Sequence, residues 1–88
     1  MVRKRVTVHG RVQGVFFRDT TRRMAESRGV AGWIRNNPDG SVEAVFEGDA
    51  DAVDEMVRFA HEGPRGAVVD RVDIADEDPD ELIGFRVA

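Results

Sequence analysis

The sequence predicts one α+β domain over residues 1–88, an antiparallel sheet with two helices on a single face. Three observations predict it. Period-two apolar runs mark strands, two stretches with helical spacing mark helices, and Gly, Pro, Asn and Asp clusters separate them. A chain of 88 residues has room for one hydrophobic core and no separate regulatory unit.

Taken in order, Arg5-Val6-Thr7-Val8-His9 alternates as a strand with Val6 and Val8 inward, and Gly10 to Gly14 is a loop. From Phe16 to Ser27 the spacing of Phe17, Thr21, Met24 and Arg28, with Ala25 beside them, predicts a helix that Gly29 stops. Val30–Asn36 and Ser41–Glu47 read as strands around the turn Asn37-Pro38-Asp39-Gly40. In the second of them Val42, Ala44 and Phe46 share one face, leaving Glu43, Val45 and Glu47 on the other. Asp49 or Asp51 caps the next helix, whose stripe is Val53, Met56, Val57 and Ala60, and Gly63-Pro64-Arg65-Gly66 ends it. Val68–Ile74 is a strand, Asp76–Glu81 an acidic surface connection, and Phe85–Val87 a short extra C-terminal strand. The resulting βαββαβ order is the split plan of a ferredoxin-like α/β sandwich. That plan alone names no function.

Charge is unevenly distributed. Residues 1–36 carry nine Lys/Arg against Asp19 and Glu26, a balance of +7, and residues 37–88 a balance of −11. Anionic partners are therefore expected at the first half. Twelve Arg to one Lys, beside ten Asp, suggests adaptation to high salt, although a GC-rich genome also favours Arg over Lys. No cysteine supplies a disulfide, a thiolate ligand or a thiol nucleophile. The N-terminus lacks the apolar stretch of a signal peptide, and no segment approaches the roughly 20 apolar residues of a membrane span. The expectation is a cytoplasmic protein without membrane contact.

The segment Gly10-Arg11-Val12-Gln13-Gly14-Val15-Phe16-Phe17-Arg18 is neither a Walker loop nor a dinucleotide fingerprint. Two glycines let a tight loop turn its amides inward as an anion nest, and the following helix adds free N–H groups and positive dipole. Arg18 then falls in the first helical turn. A cation there is disfavoured by roughly 0.3–1 kcal/mol unless an anion sits between it and the amides. A guanidinium fork can grip two oxygens of one phosphoryl group. Read from spacing alone, a plain connecting loop with a solvated arginine remains open.

This segment resembles the acylphosphatase signature G-x-V-Q-G-V-x-[FY]-R at every fixed position. Gly32-Trp33-Ile34-Arg35-Asn36-Asn37-Pro38-Asp39-Gly40 resembles the second motif of that family, G-W-V-x-N followed by a turn glycine, with Ile34 in place of Val. The resemblance spans essentially the whole chain. It implies hydrolysis of the carboxyl-phosphate bond of small-molecule acyl phosphates by a monomer without metal or cofactor. It implies that Arg18 clamps the phosphoryl group with the backbone amides of Val12, Gln13, Gly14, Val15, Phe16 and Phe17. It also implies that Asn36 orients the attacking water, leaving Asn37 as the turn residue.

Other residues carry weaker signals. Gln13 is expected to hold the loop by bonding neighbouring backbone. Trp33 and Phe17 are expected in the core or pocket wall, and Arg11, Arg22, Arg23 and Arg35 as field or solvated charges. His9 and His61 lack the carboxylate–histidine spacing of a metal site and read as bystanders. A nucleic-acid module on this plan would need exposed sheet aromatics, whereas Glu43, Val45 and Glu47 occupy the outward side. A catalytically silent binder would not need Arg18 and Asn36 intact. A larger carbamoyl-transfer protein with a similar domain would carry zinc-finger cysteines.

Overall fold

The computed structural model describes all residues, Met1–Ala88. Its elements are β1 (Val2–Arg11), α1 (Phe17–Arg28), β2 (Ala31–Asn36), β3 (Val42–Gly48), α2 (Ala50–Glu62), β4 (Val68–Glu77) and β5 (Phe85–Val87). The five strands form one sheet in the order β4-β1-β3-β2-β5. The four long strands pair antiparallel, and β5 joins the edge parallel to β2, so the sheet is mixed. No helix is long and apolar enough to cross a membrane.

Strand alternation explains which residues enter the core. Val6 and Val8 of β1, Ile34 of β2, and Val42, Ala44 and Phe46 of β3 are buried in one cluster. That cluster takes Phe17 and Ala25 from α1 and Val53, Met56 and Ala60 from α2. Each fully buried Val or Met contributes about 1.5–3 kcal/mol through removal of apolar surface from water. Phe17 packs its ring against Phe59 of α2 with centroids 5.9 Å apart, which fixes the N-terminal turn of α1 against the second helix. Gly29 stops α1 in a left-handed conformation, as its position predicts. Asp49 occupies the N-cap of α2, although its side chain makes no capping bond; its carbonyl accepts from Val53 N at 2.9 Å.

Two strands run further than the apolar periodicity indicates. β1 begins at Val2, which packs against the core, and β4 continues to Glu77, with cross-strand ion pairs joining these ends. Arg3 reaches Glu77 at 2.8 Å and Lys4 reaches Asp76 at 2.8 Å. At its other end β1 also runs past the predicted stop, through Gly10 and Arg11. The register against β4 slips between His9 and Gly10, a bulge that bends the strand toward the following loop. Gly10 has φ 133°, and a Cβ there would lie 2.1 Å from the Val68 carbonyl oxygen, so only glycine fits.

The outward face is not an open polar surface. Glu43, Val45 and Glu47 point that way, yet Val45 and Glu47 are fully buried. Val45 lies between Arg5 and Trp33 in the register. The Arg5 and Arg35 guanidinium groups each lie over the Trp33 ring, 5.2 and 5.1 Å from its centroid, and both arginines bind Glu43. Trp33 is therefore neither core nor pocket wall. Beyond β4 the chain crosses to the opposite sheet edge, passing the end of β3. There the Glu47 carboxylate accepts the amides of Asp80 at 2.7 Å and Leu82 at 2.8 Å.

Candidate active site

The β1–α1 loop, the first turn of α1 and the end of β2 enclose a pocket of about 520 Å³. Val12, Gly14, Phe16, Phe17, Arg18, Asp19, Arg22, Asn36 and Val87 line it. The sequence-predicted Arg18 and Asn36 thus come together, though they are 18 residues apart. Ile34 faces the core, so Asn36, two residues on, faces the same layer at the strand's end beside α1.

The loop presents its amides rather than spending them. None of the inter-element backbone bonds uses an amide from Val12 to Phe16 as donor. Phe17, Arg18 and Asp19 open α1, where the first amides have no partner within the helix. Thr20 is the first residue to donate back, to the Phe16 carbonyl at 3.0 Å. Gly14 has φ 74° and Phe16 has φ 62°, and alternating left-handed residues are what curl successive amides into a concave nest. For a phenylalanine this conformation costs on the order of 1–2 kcal/mol. Phe16 is the N-cap of α1 and offers no side-chain cap, which leaves that end of the helix free for an anion.

Gln13 fixes the loop across space. Its Nε2 donates to the carbonyls of Asn37 at 2.8 Å and Ser41 at 2.9 Å, tying the loop to the β2–β3 turn. The residue type is as the sequence suggested, but its partners are in the hairpin rather than in the loop. Asn37 carries that turn: its amide donates to the Ser41 carbonyl at 2.8 Å and its Nδ2 to Ser41 Oγ at 3.0 Å. Asp39 accepts from the Ser41 amide and hydroxyl, which holds its pKa below the usual carboxylate range. No such bond engages the Asn36 side chain, so its amide is available to the pocket.

The pocket's charges divide into spent and unspent. Asp19 is held by Arg22 at 2.9 Å and Arg23 at 3.0 Å. The Arg22 hydrogen bond, with the Arg23 charge, keeps the Asp19 carboxyl below its ordinary pKa. It is therefore ionised near neutral pH and poorly suited to donate a proton. Arg22 also binds Glu26 at 2.9 Å. Arg18 is half-buried and has no carboxylate within 4.0 Å, whereas Arg3, Arg5 and Arg22, the other arginines that are not fully exposed, are all paired. Arg35 serves the opposite sheet face, and Arg11 is exposed.

Neither histidine enters the pocket. His9 Nε2 lies 3.1 Å from Asp73 and 3.3 Å from Arg71, and His61 Nδ1 is 3.0 Å from the Val57 carbonyl in the last turn of α2. No three His, Asp or Glu side chains converge in metal-ligating geometry. Sequence reasoning missed Val87, which β5 brings to the pocket rim through parallel pairing with Ile34. It also missed Glu47 as the anchor of the segment leading to that strand. A glutamate on an alternating strand carries no sign of backbone donors more than 30 residues away.

A two-layer α/β sandwich with a pocket where its first loop meets the end of β2 defines the class of fold, and comparison with known proteins narrows it. The acylphosphatase family pattern matches residues 4–87. An acylphosphatase of Rubrobacter xylanophilus is 65% identical over 75 residues, covering 85% of this chain and 68% of that protein. One from Trichormus variabilis is 54% identical over 87 residues, covering 99% and 86%. The crystal structure of acylphosphatase from Bacillus subtilis superposes with a TM-score of 0.95 at 31% identity, covering 100% of this chain and 99% of that one. The chain belongs to the acylphosphatase family.

Proposed function

We propose that the protein hydrolyses acyl phosphates to a carboxylate and inorganic phosphate, acting as a metal-independent monomer in the cytoplasm. The observation that carries the mechanism is the convergence of an unpaired Arg18, a row of free loop amides and an uncommitted Asn36 on one pocket.

In this reading Arg18 and the amides of Val12 to Phe17 hold the phosphoryl oxygens. The guanidinium fork and the N–H groups complement charge that spreads over those oxygens as the P–O bond loosens. Asn36 positions a water in line with the bond to the leaving group. The water oxygen bonds to phosphorus, the P–O bond to the acyl carboxylate breaks with its electron pair, and one water proton passes to a phosphoryl oxygen. The departing carboxylate is stable as an anion, so no general acid is required. This is consistent with Asp19 being ionised and paired. Placement and preorganised charge supply most of the rate.

The test is phosphate release from benzoyl phosphate and p-nitrophenyl phosphate in the presence of chelator. Strong preference for the anhydride, undiminished by chelator, is expected. Equal rates on the two, or chelator inactivation, would overturn the reading.

A further inference from the structure

We propose that the Phe16 ring is the recognition element for the acyl part of the substrate, and that it selects acyl phosphates with an apolar, preferably aromatic, substituent. The inference rests on the acyl-phosphate reading and extends it from the phosphoryl end to the other.

Once the polar lining is assigned, what remains for the acyl group is apolar. Arg18, Asn36 and the loop amides face the phosphoryl group and water, and Asp19 and Arg22 are tied to each other at 2.9 Å. No free charge is left to attract a polar or ionised acyl substituent. Val12 and Phe17 are buried in the core and can offer it little surface. The accessible apolar walls are Phe16, 81% exposed, and Val87, 38% exposed.

Phe16 is also placed against its own interests. A bulky side chain stands in the left-handed region, at φ 62°, and its ring packs into no part of the core. Glycine or asparagine would suit the backbone better and remove the exposed ring. A residue that satisfies neither local conformation nor packing, at the lip of a pocket, indicates a role in the pocket. The ring surface gains by covering an apolar partner.

The experiment compares kcat/KM for benzoyl phosphate and acetyl phosphate in the wild-type protein and in Phe16→Gly and Phe16→Asn. Both replacements accept the left-handed backbone, so the fold is retained. The two substrates share one phosphoryl group, so any disturbance of the cradle affects both and cancels in the ratio. The benzoyl-to-acetyl ratio should fall about tenfold in each variant, mainly through KM. That is the effect of exposing roughly 55 Å² of apolar surface at ~25 cal/mol per Å². An unchanged ratio in both variants would overturn the proposal while leaving the acyl-phosphate reading standing. Absence of wild-type hydrolysis of either substrate would overturn that reading, and this proposal with it.

Discussion

Replacing Glu47 with glutamine should destabilise the protein far more than its position on a solvent-side strand face suggests. The carboxylate is only 1% exposed and accepts the Asp80 and Leu82 amides at 2.7 and 2.8 Å, with Arg3 Nη1 at 3.7 Å. Glutamine keeps one acceptor oxygen but turns an NH₂ toward the second amide. It also removes the charge opposite Arg3, whose Nη1 is buried with no hydrogen-bond partner and has Glu47 as its ion-pair partner. A hydrogen bond to a charged group contributes about 1.5–3 kcal/mol, and losing one while leaving a buried donor unsatisfied points to roughly 2–3 kcal/mol. For a domain of this size that is a fall in Tm of about 10–20 °C. Burial pushes the Glu47 pKa up, but the two amides and Arg3 outweigh it and leave the group below the ordinary carboxylate range. A depressed folded-state pKa gives stability that is present above the unfolded value near 4.3 and is lost as pH falls through the folded value. The assay is thermal unfolding of both proteins at pH 7 and at about pH 3. The difference should be large at pH 7 and shrink in acid. A difference of less than about 2 °C at pH 7, or one equal at both pH values, would refute the reasoning.

Asn36→Ala should lower turnover by roughly 10²–10³, the range for one preorganised polar group, while inorganic phosphate still binds and Tm changes little. Loss of Tm with activity intact would instead make Asn36 a turn residue like Asn37. Thermal stability should rise markedly from low salt to molar KCl, because screening contracts the repulsion among the clustered acids from about 10 Å at 0.1 M to about 3 Å. The exposed ion pairs weakened by the same salt contribute only about 0–1 kcal/mol each. A Tm that stays flat or falls across the KCl series would remove the high-salt reading and leave the arginine bias to genome composition.

What could be read from the sequence was what local spacing encodes. The apolar stripes of both helices and the alternation of Val6, Val8, Val42, Ala44 and Phe46 correspond to the observed core. Gly29 stops α1, and Phe85–Val87 forms β5 at the residues predicted. The features that escaped depend on partners distant in sequence. The outer ends of β1 and β4 are joined by the pairs Arg3–Glu77 and Lys4–Asp76, which apolar periodicity does not register. Trp33 reads as a core residue by type, yet strand parity turns it away from Ile34 onto the charged face. Asp76 and Glu77 of the acidic connection pair in β4 and Asp80 donates its amide to Glu47, neither of which composition distinguishes from a solvated loop. At the site, the two motifs named Arg18 and Asn36. Asn37 takes up the turn's hydrogen bonds as expected, and only the fold reveals that Gln13 bridges loop and hairpin.

The central claim is that Arg18 and the loop amides form the phosphoryl clamp, and kinetics of Arg18→Ala with benzoyl phosphate test it most directly. Arg18 has no carboxylate partner whose loss would disturb the fold, so the variant should unfold at nearly the wild-type temperature. Its turnover should fall by roughly 10³ or more, as for other arginines that stabilise a transferring phosphoryl group. Competitive inhibition by inorganic phosphate should disappear with it. Arg18→Lys should restore neither, because an ammonium cannot reproduce the planar two-oxygen grip. Near-normal hydrolysis by a folded Arg18→Ala protein, with phosphate still inhibiting, would contradict the account.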